Sequence, residues 1–185
     1  MNDRWFITLK MKKILLFLFV FSLLACSSPR EEAVNEIARL ESELKSDSSF
    51  TPSEDKAAAM MKAYMDFAVA YPTDSSSPEY LFRAADLAQG IHHESVAVRL
   101  YEQIRKDYPS YSKAAACLFM EAFVLDYNLG EKDKAKQKYA EFIAAYPDHS
   151  LTASAKASLD QLNLGLTDEE LVRSWEEKQM QDTVQ

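Results

Sequence analysis

Hydrophobic positions in this chain follow two regimes. From Ile14 to Phe21 they are continuous, and the apolar run carries on through Ser22 to Ala25. From Glu31 onward they recur at helical spacing among charged neighbours. Val34, Ile37, Leu40 and Leu44 form one stripe at three- and four-residue intervals, which predicts a short amphipathic helix over Glu31 to Ser46. Two packings suit that helix: against Ala58–Tyr71 as the first half of an incomplete repeat, or in a short coiled coil. Two heptads are few for the latter. Ser46 to Ser53 is polar and reads as a loop.

Beyond the loop the pattern repeats. Tyr-Pro occurs at Tyr71-Pro72, Tyr108-Pro109 and Tyr146-Pro147, separated by 37 and 38 residues. Four residues before each tyrosine stands Phe67, Ile104 or Phe142; seven before, Tyr64, Tyr101 or Tyr139; eleven before, Met60, Ala97 or Ala135. These offsets share one helix face, which predicts a buried stripe. Proline then stops the helix, because it lacks an N–H and drives the preceding residue out of the α region.

A second helix lies between successive marks: about Pro78 to Gln89 closed by Gly90, Ser112 to Asn128 closed by Gly130, and Ser150 to Asn163 closed by Gly165. Glycine just past a helix supplies the left-handed cap. Ser77-Pro78 reads as an N-cap followed by a first-turn proline, and Thr51-Pro52-Ser53-Glu54 combines that with a capping box. Thr167-Asp168-Glu169-Glu170 is a further box, opening a last helix with Leu171, Val172 and Trp175. The expected fold is all-α, a repeated helix-turn-helix with a capping carboxyl-terminal helix.

These residues resemble tetratricopeptide repeats. Ala97, Tyr101, Ile104 and Pro109 fill that family's second-helix pattern, as do Ala135, Tyr139, Phe142 and Pro147. Met60, Tyr64, Phe67 and Pro72 fill it with Met in place of Ala. First-helix positions are matched by Leu81 and Ala85, then Leu118 and Ala122, whereas Lys156 and Asp160 break the series in the last copy. The resemblance implies a superhelical stack over 51–166, capped by 167–185, with Trp175 and Leu171 covering the apolar edge.

The amino-terminal run is about 12 residues long, short of the ~20 that span a bilayer. Preceded by Lys12 and Lys13, it reads as a secretory signal peptide over 1–25, with Met11 an alternative start. Leu23-Leu24-Ala25-Cys26 looks like a bacterial lipobox, which makes Cys26 the acylation site, and Ser27-Ser28-Pro29 opens a polar tether within 26–50. Two or three acyl chains at ~0.8 kcal/mol per buried methylene make a stable anchor. Cys117 is then left without a disulfide partner, inside the apolar stretch Ala114–Phe119, and reads as a core residue.

Composition narrows the chemistry. Three glycines in 185 residues leave little for phosphate-cradling loops or hairpins. Formal charge is −8, and it becomes about −11 once the segment holding Arg4, Lys10, Lys12, Lys13 and Asp3 is removed. That charge disfavours nucleic acid as a partner. No phosphate loop, nucleophile elbow or zincin helix is present. His92-His93-Glu94 falls at an expected turn, His149 has the same loop character, and adjacent histidines diverge too far to share a metal easily. No catalytic set, metal site or cofactor is expected.

Overall the chain looks most like the small tetratricopeptide lipoproteins of Gram-negative envelopes. It is more distantly similar to the repeat lipoprotein of the outer-membrane barrel-assembly machine and to the periplasmic repeat protein of the Tol–Pal system. The resemblance implies a non-enzymatic scaffold in the cell envelope, lipid-anchored and facing the periplasm from the outer membrane. It would hold protein partners in a groove lined by Glu79–Gln89 and Cys117–Asp126, with Arg83 and Asp86 as polar groove residues. A non-catalytic accessory to a cell-wall enzyme and a self-associating structural protein are the alternatives.

Overall fold

The structure, a computed structural model, describes residues 28–46 and 53–165 together with Glu170, Arg173 and Met180. The expected signal segment, Cys26, the Thr51-Pro52 cap and most of the expected terminal helix lie outside the described residues. Within them the chain is all-α: α1 (Pro29–Ser46), α2 (Glu54–Ala70), α3 (Ser77–Gly90), α4 (Glu94–Asp107), α5 (Ala114–Phe123), a π-helical segment (Val124–Asn128), α6 (Lys132–Ala145) and α7 (Thr152–Leu164). Each helix packs chiefly against the one before and the one after it. Among the described residues no helix is long and apolar enough to cross a membrane.

The three Tyr-Pro marks build the same corner. Tyr71, Tyr108 and Tyr146 cap α2, α4 and α6 with φ/ψ of −130/60, −131/58 and −133/61. Each still donates its N–H to the carbonyl four residues back, on Phe67, Ile104 and Phe142. The following proline has no N–H to continue the ladder. Each tyrosine carbonyl then accepts the N–H three residues on, from Asp74, Tyr111 and His149 at 3.0, 3.0 and 3.2 Å. Those residues accept in turn from Ser77, Ala114 and Thr152, where the next helix begins.

Side chains reinforce two of the three corners. The Ser77 hydroxyl donates to the Tyr71 carbonyl and the Thr152 hydroxyl to that of Tyr146, both at 2.6 Å. Ala114 holds the equivalent place in the middle corner and has no hydroxyl to offer. Ser77 is therefore not the N-cap that its position before Pro78 suggests. It is the buried first residue of α3, and Ser76 precedes it without a side-chain cap bond. α2 is capped by Ser53, whose Oγ accepts from the Lys56 N–H at 3.3 Å. α5 and α7 begin two residues later than expected, at Ala114 and Thr152 rather than Ser112 and Ser150.

The change of spacing from 37 to 38 residues has a local cause. At the end of α5 the chain opens into π geometry, and the Leu129 N–H reaches back five residues to Val124. The matching Ile91 N–H, one repeat earlier, reaches back four, to Leu87. The π turn thus absorbs one extra residue without disturbing the corner on either side. Beyond it, Gly130 adopts φ +65, and its counterpart is His92 with φ +59, not Gly90. Gly90 stays helical as the last residue of α3, so the expectation that it caps that helix is corrected. Gly130 and Gly165 do take the left-handed conformation.

Two clusters form the core. One joins Ile37, Met60, Tyr64, Phe67, Leu81, Ala97, Tyr101, Ile104, Cys117 and Val124; the other joins Leu118, Ala122, Leu125, Ala135, Tyr139, Phe142 and Ala155. All nine residues expected at the −11, −7 and −4 positions are buried. The remaining six are placed differently: Tyr71, Tyr108 and Tyr146 are half-buried at the corners, and Pro72, Pro109 and Pro147 are exposed. The prolines therefore act on backbone geometry and contribute little to the core. α1 lays Ile37, with Val34, Leu40 and Leu44 beside it, on the first cluster. It packs against α2.

The repeated tyrosines differ in how their hydroxyls are satisfied. Tyr64 donates to Glu41 at 2.7 Å. Tyr101 donates to Asp86 at 2.9 Å and accepts from the Gln89 amide at 2.6 Å. Tyr139 is fully buried, and among the described residues its hydroxyl makes no well-formed hydrogen bond, the Ser158 hydroxyl being the polar group that acts on it. Burial raises the Tyr139 phenol to about 12, with the Ser158 hydroxyl opposing it.

Three stability predictions follow from these contrasts. Tyr101→Phe should cost about 1–2 kcal/mol, because Asp86 and Gln89 lose their partner, whereas Tyr139→Phe should be neutral or stabilising. Urea denaturation of the pair measures the difference, and equal losses would contradict this account. Tyr101→Asp, which removes the ring and buries a charge, should abolish the helical circular dichroism signal. His92→Gly should stabilise by about 0.5–1 kcal/mol, since His92 is almost fully exposed and its left-handed backbone is strained.

Candidate partner-binding face

The first helices of successive pairs, α1, α3 and α5, present a connected row of polar side chains. Arg83 on α3 donates to Glu41 of α1 at 2.8 Å and to Glu79, one turn earlier, at 3.2 Å. Glu79 also accepts from the Tyr111 hydroxyl and, at 2.9 Å, from Lys113, both in the corner that leads into α5. The Lys113 ammonium stands 4.5 Å from the centre of the Phe82 ring. Charges contributed by three elements thus meet on one face, and Arg83 is the link between α1 and α3.

Their ionisation reflects these contacts. Burial pushes the Glu79 carboxyl up, but the bonds from Tyr111, Lys113 and Arg83 outweigh it and bring it down to about 2. Asp74 is also held near 2, first by Arg30 and then by the Ser76 N–H. Asp86 behaves in the opposite way. Partial desolvation raises its carboxyl above the usual range, and the Tyr101 hydroxyl and the more distant Lys113 only partly offset this.

Two clefts open on this face. One is lined by Glu41, Leu44, Lys45, Tyr64, Arg83, Asp86 and Leu87. Its neighbour, between α1, α3 and the first corner, shares Glu41 and Arg83 with it. Both expected groove residues, Arg83 and Asp86, therefore lie in the first cleft. Glu41 and Leu44 come from α1, for which packing on Ala58–Tyr71 is expected but whose sequence does not mark its reach to α3.

One repeat further along, the face changes chemistry. The places of Glu79, Arg83 and Asp86 are taken 37 residues later by Ala116, Met120 and Phe123, all half-buried. Phe123 stacks on Tyr127 with centroids 4.7 Å apart, and Tyr127 is 48% exposed. In α7 the same places hold Ser154, Ser158 and Gln161. Reading the sequence at the repeat offset would have exposed this progression from charged to apolar to small polar.

Other candidate chemistry is spread apart. Cys117 is fully buried, and burial raises its thiol to about 12, so it is protonated at neutral pH. His92 and His93 each approach a different carboxylate, Glu94 at 3.4 Å and Glu54 at 3.7 Å. His149 accepts from the Leu151 N–H at 3.1 Å and meets the Phe142 ring edge-on. Among the described residues no three potential ligands gather into a metal site. No family model matches the chain, and no curated protein matches it.

The depressed carboxylates set a pH dependence. A carboxyl whose folded pKa lies below its unfolded value stabilises the fold above the unfolded value and loses that contribution as pH falls toward the folded one. For Glu79 the window runs from 4.5 down to about 2. Stability should therefore fall across that interval, and Glu79→Gln should flatten the dependence. Urea midpoints measured from pH 6 to pH 2 in both proteins check this; parallel curves would contradict it.

Proposed function

We propose that this protein is a lipid-anchored scaffold of the bacterial cell envelope. In this reading its helix pairs form a tetratricopeptide-type superhelix whose α1–α3–α5 face holds protein partners. The observation that supports it best is the pairing of a constant frame with a varied face. Three corners share backbone angles to within a few degrees, while the positions between them change from charged to apolar. Such a surface suits an extended segment or a helix with a polar and an apolar portion. Binding would be non-catalytic and free of cofactors. Acylation of Cys26 would tether the stack to the outer membrane, facing the periplasm, and 167–185 would cap its carboxyl end.

Two readouts in cells test this. Cys26→Ala should move the chain from the membrane to the soluble fraction and abolish labelling by a palmitate analogue; retention in the membrane would refute the anchor. A photo-crosslinking residue in place of Met120 should capture other envelope proteins. The same residue in place of Ala140, exposed on α6, should capture several-fold less. Adducts with a second copy alone, or equal capture from both places, would refute the partner-binding face.

A further inference from the structure

α1 is held to the stack differently from the helices that follow it. Each later helix is joined to its predecessor through backbone hydrogen bonds: at the three Tyr-Pro corners, from the Ile91, His92 and His93 N–H groups back to α3, and from the Glu131 N–H back to Leu125. Among the described residues no backbone hydrogen bond connects α1 to α2. Burial differs as well. Ile37 is the one described residue of α1 that is buried, whereas α2 buries five residues, α3 six and α4 four. Val34, Leu40 and Leu44 are half-buried.

The remaining ties are polar. Arg30 meets Asp74 at 2.5 Å, and Glu41 accepts from the Tyr64 hydroxyl at 2.7 Å and from Arg83 at 2.8 Å. Both arginine side chains are close to half exposed, and ion pairs open to water hold weakly. Between α1 and α3 lie two clefts of about 210 and 340 Å³, so this seam is loosely packed. The surface beneath α1 is built without it. Tyr64 and Phe67 of α2 pack on Tyr80 of α3, with ring centres 5.3 and 4.8 Å away. One and two repeats on, the place of Tyr80 holds Cys117 and Ala155, so this extra ring is confined to the pair that α1 covers.

We propose that α1 is a releasable strap. It opens as a unit while α2–α7 stay folded, and its opening uncovers the rings of Tyr64, Phe67 and Tyr80 beside the Arg83 guanidinium. Local opening of this kind is favoured where buried contacts are few and no backbone ladder is shared, and α1 has both traits. Closed, the α1–α3–α5 face shows the linked charges of Glu41, Arg83 and Glu79. Open, it shows an aromatic surface, and both Arg83 and the Tyr64 hydroxyl have lost the Glu41 carboxylate.

Hydrogen exchange followed by mass spectrometry, on the full chain in detergent micelles, tests this. Amides of Glu32–Leu44 should exchange through openings roughly a hundredfold more frequent than those of α3 and α4. Ile37→Ala should quicken α1 by a further factor of about ten or more and leave α3 to α6 unchanged. In that variant the NMR ring signals of Tyr64 and Tyr80 should shift, while those of Tyr139 stay in place. Four results would overturn the strap: α1 amides as slow as those of α4, α1 amides with no protection at all, an Ile37→Ala variant whose exchange rises equally in every helix, or unmoved Tyr64 and Tyr80 signals. Should Ile37→Ala fail to fold, the ratio of α1 to α4 exchange in the unmodified chain decides, and equal rates reject the strap.

Discussion

The fold depends on a tyrosine ring that is buried within a helix pair and a proline, eight residues later, that stops the helix. The ring, at Tyr64, Tyr101 or Tyr139, sits in the core and contributes a few kcal/mol of apolar burial. The proline, at Pro72, Pro109 or Pro147, contributes almost no burial. It ends the helix at a fixed distance from the ring, so the next helix always begins in the same place relative to the core. Register and corner geometry thus come from a backbone restriction, and cohesion comes from the aromatic stripe.

That division explains which features can be read directly from the sequence. The −11, −7 and −4 positions are legible because helical period and proline are both local, and all nine residues at these positions are buried. Exposure of the prolines follows from the same logic once their role is seen as conformational. The left-handed residue after α3 is less legible. Glycine is the usual choice for that conformation, yet Gly90 comes two residues too early, and the corner takes His92 instead. Position in the repeat overrides residue preference here, because the Val96 and Ala97 N–H groups both bond to His93 and set where α4 starts.

The π segment marks a different limit. Nothing in Val124-Leu125-Asp126-Tyr127-Asn128 announces i→i+5 bonding. Its one sign is the count between corners, which rises from 37 to 38 without any change in the corners themselves. An extra residue in a loop would have been equally consistent with the sequence. Putting it in the helix shifts the side chains before Leu129 relative to the next helix, and it is here that Tyr127 becomes exposed and stacks on Phe123. Long-range placement is harder still: Glu41 reaches Arg83 across 42 residues, and no local pattern reports that distance.

The same separation of frame from surface bears on function. Substitutions at the ring and proline positions alter the stack, so those positions have little freedom. Positions such as 79, 83 and 86, and their counterparts 116, 120 and 123, face outward from first helices and are free to differ. They differ sharply: Glu, Arg and Asp in one repeat, and Ala, Met and Phe in the next. One result is an aromatic pair at the surface, where the half-buried Phe123 stacks on the exposed Tyr127. Apolar surface exposed in this way carries a cost in the isolated chain. The frame fixes where these outward side chains stand, and their identity sets what the face presents, so the two can change independently.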